Sequence, residues 1–241
     1  MKTKQITILT TLVAALLSIG CEEEKISVTN DGIVAFYPFN GNTRDESGNT
    51  HHAANMGVTF ATDRFGNDNS AVEFDGSSSY LLVNSSNLFP AAAITTAFWI
   101  NRNNLDPSQI GSGENYINKE LSFSTYLLTD GSLISQVWKG QPGVWSEWFD
   151  GDYEMPVSQD WIFYTNTFDN KTKTVNIFIN GELVNTMEET NSDAIVRQSV
   201  MPLFIGRNGS SPVYFIQGMM DDIRIYDRAL RLDEIQTLYK N

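Results

Sequence analysis

Residues 137–154 hold the densest chemistry of the chain: Trp138, Trp145 and Trp148, three of its five tryptophans, followed by Asp150, Asp152 and Glu154. Sugar rings offer apolar C–H faces that stack on aromatic rings, while carboxylates and amides bind their hydroxyls. This mixture is what a saccharide-binding surface needs. Each tryptophan taken singly also has a plain reading as core. Trp145 and Trp148 lie three apart, however, and in a regular strand they face opposite sides, so at least one leaves the core unless a bulge intervenes.

Asp150-x-Asp152-x-Glu154 has a second possible chemistry. Alternating acids on one strand face can serve as acid and nucleophile of a retaining glycosidase, about 5–5.5 Å apart. The run contains Gly151, which weakens a strand, and Pro156 follows it, so a solvated acidic loop is the expectation. Other catalytic constellations are missing from the sequence: it has no Gly-x-Ser-x-Gly, no glycine-rich phosphate loop and no His-Glu-x-x-His. His51 and His52 are its only histidines and sit side by side, and Cys21 is its only cysteine. A disulfide framework and a multi-cysteine metal site are thereby excluded.

Lys2 and Lys4 precede a run, residues 6–17, that is apolar apart from threonines. It is too short to span a bilayer and fits the core of a secretory leader. Ser18-Ile19-Gly20-Cys21 resembles the lipobox of bacterial lipoproteins, in which a small residue precedes the cysteine that becomes acylated; the usual apolar residue is displaced to Leu17. Cys21 is therefore the expected lipidation site, residues 1–20 the leader, and 21–31 an acidic tether opened by Glu22-Glu23-Glu24. Each buried methylene of an acyl chain contributes about 0.8 kcal/mol, so two or more chains anchor stably. The expected location is the bacterial outer membrane, on its periplasmic or extracellular face, with lipid as the sole membrane contact.

The formal charge is −13; loss of Lys2 and Lys4 with the leader takes the basic count from 16 to 14 against 29 acids, a net −15. Such a surface repels phosphate, so nucleic acid is excluded as a partner. A hydrophobic fraction of 41% with 12% aromatics argues for a packed globule. A chain of this length buries roughly 70% of its unfolded surface and needs no covalent staples.

These residues have to be positioned by strands. Residues 33–39, 71–74, 80–83 and 95–100 are short apolar or alternating runs, separated by Asn, Gly, Asp and Ser clusters. Residues 122–129 and 132–138 flank Asp130-Gly131, and 174–179 and 182–187 flank Asn180-Gly181; both dipeptides suit the type I′ hairpin turn. In the second hairpin Val175, Ile177 and Ile179 face one way, Asn176 and Phe178 the other. Residues 161–168 and 215–226 supply further strands. One short helix closes the chain, with Asp233 as cap and Ile235, Leu238 and Tyr239 on one face. The reading is all-β: a two-sheet antiparallel β-sandwich of jelly-roll type over residues 32–241, with one short C-terminal helix.

Particular motifs carry a resemblance. Val34-Ala35-Phe36-Tyr37-Pro38-Phe39-Asn40-Gly41-Asn42 leads into Asp45-Glu46-Ser47-Gly48-Asn49. Asp63-Arg64-Phe65-Gly66, Ala71-Val72-Glu73-Phe74-Asp75-Gly76 and Phe98-Trp99-Ile100 follow. Met220-Asp221-Asp222-Ile223-Arg224-Ile225-Tyr226, Ala229-Leu230 and Glu234-Ile235 close the chain. Together these resemble the laminin G-like jelly roll of the concanavalin A-like lectin/glucanase superfamily. The resemblance implies the sandwich and assigns Trp99 and Trp161 to the core. It also implies a structural calcium (Ca2+), held by Asp45 and Asp222 with a carbonyl from Gly48; calcium takes six to eight oxygens at about 2.3–2.6 Å. Against that stands a simpler role, in which Asp45 caps a turn and Asp222 pairs with Arg224 or Arg228. Asp221 and Asp222, adjacent on a strand, are expected on opposite faces. The fold hosts lectins, adhesion modules and glucanases alike. The expectation is a non-catalytic extracytoplasmic module binding a glycan through Trp138, Trp145, Trp148, Asp150 and Asp152. A protein-binding adhesion or scaffold module, or less readily a glycoside hydrolase, are the alternatives.

Overall fold

A computed structural model describes residues 30–84, 92–102, 113–138, 148–155, 160–188 and 199–241, with the backbone alone for 148–152. Among the described residues the strands are, in chain order, β1 (Ile33–Tyr37), β2 (Ala54–Met56), β3 (Thr59–Ala61), β4 (Ala71–Asp75), β5 (Tyr80–Val83), β6 (Ala93–Asn101), β7 (Glu114–Lys119) and β8 (Phe123–Leu127). They continue as β9 (Ser132–Trp138), β10 (Trp148–Glu154), β11 (Ile162–Asp169), β12 (Thr174–Ile179), β13 (Glu182–Glu188), β14 (Leu203–Ile205) and β15 (Gln217–Tyr226), and helix α1 (Leu232–Lys240) ends the chain.

The strands form two antiparallel sheets. One runs β13-β12-β11-β6-β15-β4-β3, with β1 taking over beside β15 where β4 leaves off. The other runs β10-β9-β8-β7-β14-β5-β2. Alternation decides what lies between them. Ile94, Phe98 and Ile100 of β6, Tyr164 and Phe168 of β11 and Val175, Ile177 and Ile179 of β12 meet Ile117, Phe123, Leu127, Leu133 and Val137 of the other sheet in one core. The sequence reading of β12 is borne out: Phe178 points to the opposite face, into a second, smaller cluster.

That cluster explains the helix. Ala97, Trp99, Phe163, Phe178 and Tyr226 on the outer face of the eight-stranded sheet are covered by Ile235 and Leu238 of α1, with Trp161 half-buried beside them. The cap falls at Arg231, not at Asp233. Glu234 reaches back to the Arg231 N–H at 2.9 Å while gripping the Arg228 guanidinium, which fixes the entry of the chain two residues early. Asp233 sits instead in the first turn, where its charge favours the helix dipole, and binds Arg231.

The two hairpins differ. At Asn180-Gly181 both residues have positive φ, 51° and 78°, and Ile179 stands opposite Glu182, the type I′ turn expected. At Asp130-Gly131 only Gly131 is left-handed and pairing begins at Leu127 with Leu133, so a longer loop replaces the two-residue turn. A larger correction concerns Asp150-x-Asp152-x-Glu154. It lies on strand β10, paired along its whole length with β9, and is not a loop. The ladder of bonds to β9 outweighs the weakness of one glycine at an edge.

Candidate functional site

The helix covers one outer face of the sandwich; among the described residues no helix covers the outer face of the seven-stranded sheet, whose centre is closed over in part by the loop carrying Gly209 and Tyr214. Residues directly opposite each other in an antiparallel ladder share a face. The register therefore draws a row across five strands: Phe204 of β14, Asn118 of β7, Ser124 of β8, Gln136 of β9 and Asp150 of β10. A neighbouring row runs Asn115, Tyr126, Ile134 and Asp152, and Trp138 stands opposite Trp148. The residues between them, Ile117, Phe123, Leu127, Leu133, Val137, Leu203 and Ile205, belong to the core, which fixes the rows on the outer face.

Hydrogen bonds hold the centre of this face rigid. Ser124 Oγ donates to Asn115 Oδ1 at 3.2 Å, and Asn115 Nδ2 donates to the Ile117 and Thr125 carbonyls at 3.1 and 3.3 Å. Those carbonyls lie beside the bulge between Asn115 and Ile117, which the amide satisfies. Asn118 Nδ2 donates to Ser124 Oγ at 3.2 Å, and Asn118 Oδ1 accepts from Gly209 N at 3.1 Å. A Cβ at Gly209 would come 2.5 Å from Asn118 Oδ1, so only glycine lets this loop approach. Asn115 N donates to Tyr214 O at 2.8 Å, which brings Tyr214, 42% exposed, over the rim. A cleft of about 240 Å³ results, with Asn115, Asn118, Ser124 and Gln136 below and Tyr126 and Tyr214 at its sides. Further along the face the Arg207 guanidinium lies over Tyr80 and Phe204, at 4.6 and 4.5 Å from the ring centroids.

Beneath the cleft Glu114, 1% exposed, accepts from Arg102 Nε at 3.1 Å, Tyr116 Oη at 2.9 Å and Gln217 N at 2.9 Å. Arg102 follows β6 and Gln217 opens β15, so this carboxylate ties the two sheets together at the point where β7 begins. Burial, then the Glu114 charge, push the Tyr116 hydroxyl well above its ordinary range, and it remains a donor.

Of the residues singled out from sequence, Trp138 is half-buried on this face, and the β10 backbone places Trp148, Asp150 and Asp152 on it by register. Trp145 and Cys21 lie outside the described residues. Glu154, opposite Ser132 at the strand end, is exposed. Asn115, Asn118, Ser124, Tyr126 and Gln136 were missed. The alternation in Phe123–Leu127 and Ser132–Trp138 carried the signal for three of them. The bulge in β7 breaks the alternation that would have disclosed the two asparagines.

The calcium residues take another arrangement. Asp45 Oδ1 accepts from the backbone N–H groups of Phe36 and Ser47, at 2.9 and 2.8 Å; Oδ2 accepts from Ser47 Oγ and His51 N, both at 2.9 Å. Burial raises its pKa, but these hydrogen bonds outweigh burial and hold Asp45 below the usual carboxylate range. Asp222 is clamped by Arg64 Nη2 at 2.7 Å and Arg224 Nη2 at 3.4 Å, and Gly48 is exposed. Donors fill the lone pairs a cation would need, and among the described residues no three His, Cys, Asp or Glu side chains gather as a metal-ligand group. As they stand these residues do not fit the implied calcium; they cap a loop and pair with arginines. The expectation that Asp221 and Asp222 face opposite ways is also corrected. A bulge between Asp221 and Arg224, with Asp222 at φ 49°, turns both onto Arg64.

The family model described as the concanavalin A-like lectin/glucanases superfamily matches residues 75–236, about two thirds of the chain. The chain belongs to this superfamily. Among solved structures, the superfamily sandwich seen here is similar to the binding domain of Paraclostridial Mosquitocidal Protein 1, with TM-score 0.69 and 21% identity over 87% of this chain and 52% of that one. It is similar to the binding domain of Botulinum Neurotoxin DC in complex with SialylT, with TM-score 0.65 and 17% identity over 89% of this chain and 52% of that one. Domain 4 of an extracellular arabinanase from Geobacillus stearothermophilus, in complex with arabinotriose, gives TM-score 0.65 and 18% identity over 86% of this chain and 98% of that domain. The chain spans about half the length of the toxin domains. At these identities the likeness establishes the fold. No curated protein matches the chain in sequence.

Proposed function

We propose that this chain is a non-catalytic glycan-binding module, acylated at Cys21 and held by its lipid on the outer membrane. The observation that carries the reading is the cleft of about 240 Å³ on the outer face of the seven-stranded sheet, whose floor is the buried Asn115, Asn118 and Ser124 and whose accessible side chains are Gln136, Tyr126 and Tyr214. The Gln136 amide both donates and accepts, as sugar hydroxyls require, and Tyr126, Tyr214 and Trp138 supply apolar faces beside it. Preformed hydrogen bonds around Ser124 mean that little ordering is needed on binding. The formal charge of −13 favours neutral glycans over sulfated or uronic ones. The arabinotriose and SialylT complexes of similar folds support a binding role, and the two toxin neighbours are named as binding domains.

A glycan array probed with the full chain tests this. Neutral glycans are expected among the hits, with binding weakened at least fivefold by Gln136→Ala. An array without hits removes the sugar reading, and hits indifferent to Gln136→Ala remove this face as the sugar site. A protein-binding role then has its own support in β13, an edge strand whose Leu183, Val184 and Met187 are 52%, 40% and 37% exposed.

A further inference from the structure

A second cleft lies on the opposite side of the sandwich, between the loop joining β3 to β4 and the end of α1. It is a shallow, open cleft of about 380 Å³, within the range of small-molecule sites, and is lined by Arg64, Phe65, Trp99, Trp161 and Tyr239, with Asp160 and Lys240 also at its edge. The fold accounts for part of this. Arg64 joins the β3–β4 loop to β15 through Asp221 and Asp222, and its guanidinium lies between the Phe65 and Trp99 rings, at 4.2 and 4.7 Å. Tyr239 stacks on Trp99 at 5.6 Å.

Three features remain. Phe65, 64% exposed, and Tyr239, 37% exposed, present aromatic surface to solvent beside the half-buried Trp161. Two buried N–H donors of residues that line the cleft, Arg64 Nε and Trp99 Nε1, have no acceptor among the described residues, although the Arg64 side chain and Trp99 are each only 7% exposed. Unsatisfied buried donors are rare in native structures and call for a partner. Finally, the charges balance locally: Arg64 and Arg224 offset Asp221 and Asp222, and Asp160 and Lys240 at the edge carry opposite charges.

From these features we infer a second ligand site that takes a neutral saccharide ring. Aromatic walls stack on the apolar face of such a ring, its hydroxyl and ring oxygens accept from the two N–H groups, and a locally balanced site gives no advantage to a charged ligand. Phe65 lies over the Arg64 guanidinium as the structure stands. With most of its surface already in solvent, it can rotate aside at little packing cost and uncover the donor. The inference shares the sugar chemistry of the proposed function but rests on a different face.

The test is an NMR titration of the full chain, 15N-labelled at tryptophan, with cellotriose, xylotriose and maltotriose as probes. Indole N–H signals separate the sites, because Trp138 reports the first face and Trp99 the second. At least one probe is expected to shift the Trp99 signal. Apparent affinity at that signal should fall at least tenfold in Trp161→Ala, recover within threefold in Trp161→Phe and stay unchanged in Gln136→Ala. Tyr239→Leu keeps an apolar plug over Trp99 and should weaken binding at least threefold, which preserves the test if Trp161→Ala does not fold. No Trp99 shift with any of the three sugars, or a shift that survives both Trp161→Ala and Tyr239→Leu, overturns the inference whatever Trp138 reports.

Discussion

Glu114 is the residue whose removal should cost most. Its carboxylate is 1% exposed and accepts from Arg102 Nε, Tyr116 Oη and Gln217 N at 3.1, 2.9 and 2.9 Å. Glu114→Ala deletes all three bonds and takes the Glu114 carboxylate from the Arg102 guanidinium, 6% exposed. Breaking a buried ion pair from one side costs about 3–5 kcal/mol, because the surviving charge stays out of water. For a chain of this size each 1 kcal/mol moves Tm by roughly 2–4 °C, so a fall of about 6–20 °C is expected. Glu114→Gln keeps one acceptor oxygen and should lose about half as much. The double variant Arg102→Met/Glu114→Leu removes both charges and should recover much of the loss, since a well-packed apolar pair often replaces a buried ion pair without penalty. Urea unfolding followed by tryptophan fluorescence measures all three. A Glu114→Ala cost below about 1 kcal/mol, or a double variant worse than the single one, would refute the view that this carboxylate locks the sheets together.

Burial, and then the charge of Asp222, lift Asp221 from 3.8 to about 7 despite Arg64. Between those values the folded state holds the proton that the unfolded chain has released, so stability should fall as pH rises from about 4 to 7 and level off above. Asp221→Asn should flatten that slope in Tm measured from pH 4 to 8; an unchanged slope assigns the proton elsewhere. Gly206 has φ 94°, and a Cβ there would strike the Phe74 ring, so Gly206→Ala should cost at least about 2 kcal/mol in urea unfolding. Asp45→Ala strips acceptors from Phe36, Ser47 and His51 and should lower Tm equally in calcium and in chelator; a stabilisation by calcium that Asp45→Ala abolishes would restore the metal to this loop.

Much of the fold was legible because alternation and turn chemistry agree wherever a strand is regular. Val175, Ile177 and Ile179 against Phe178 gave both faces of β12, and Asn180-Gly181 gave its turn. Legibility failed where the backbone leaves the period of two. The bulge in β7 hid Asn115 and Asn118, and the bulge at Asp222 turned two neighbouring acids onto a single arginine. Asp45 and Asp222 show a different difficulty: a loop carboxylate that binds calcium and one that gathers N–H donors look alike in sequence, and only the donors around Asp45 distinguish them. The aromatic and acidic run at 137–154 was read for its composition. Its register, which sets Asp150 opposite Gln136 and Trp148 opposite Trp138, is a property of the sheet.

The central claim is tested most directly by mapping backbone amide shifts of the full chain on addition of a glycan that scores on the array. Shifts clustered at 115–118, 124–126 and 134–138, lost in Gln136→Ala, are the expected result. Shifts confined to β13, or a spectrum left unmoved by a glycan the chain demonstrably binds, would contradict the assignment of recognition to the open face of the seven-stranded sheet.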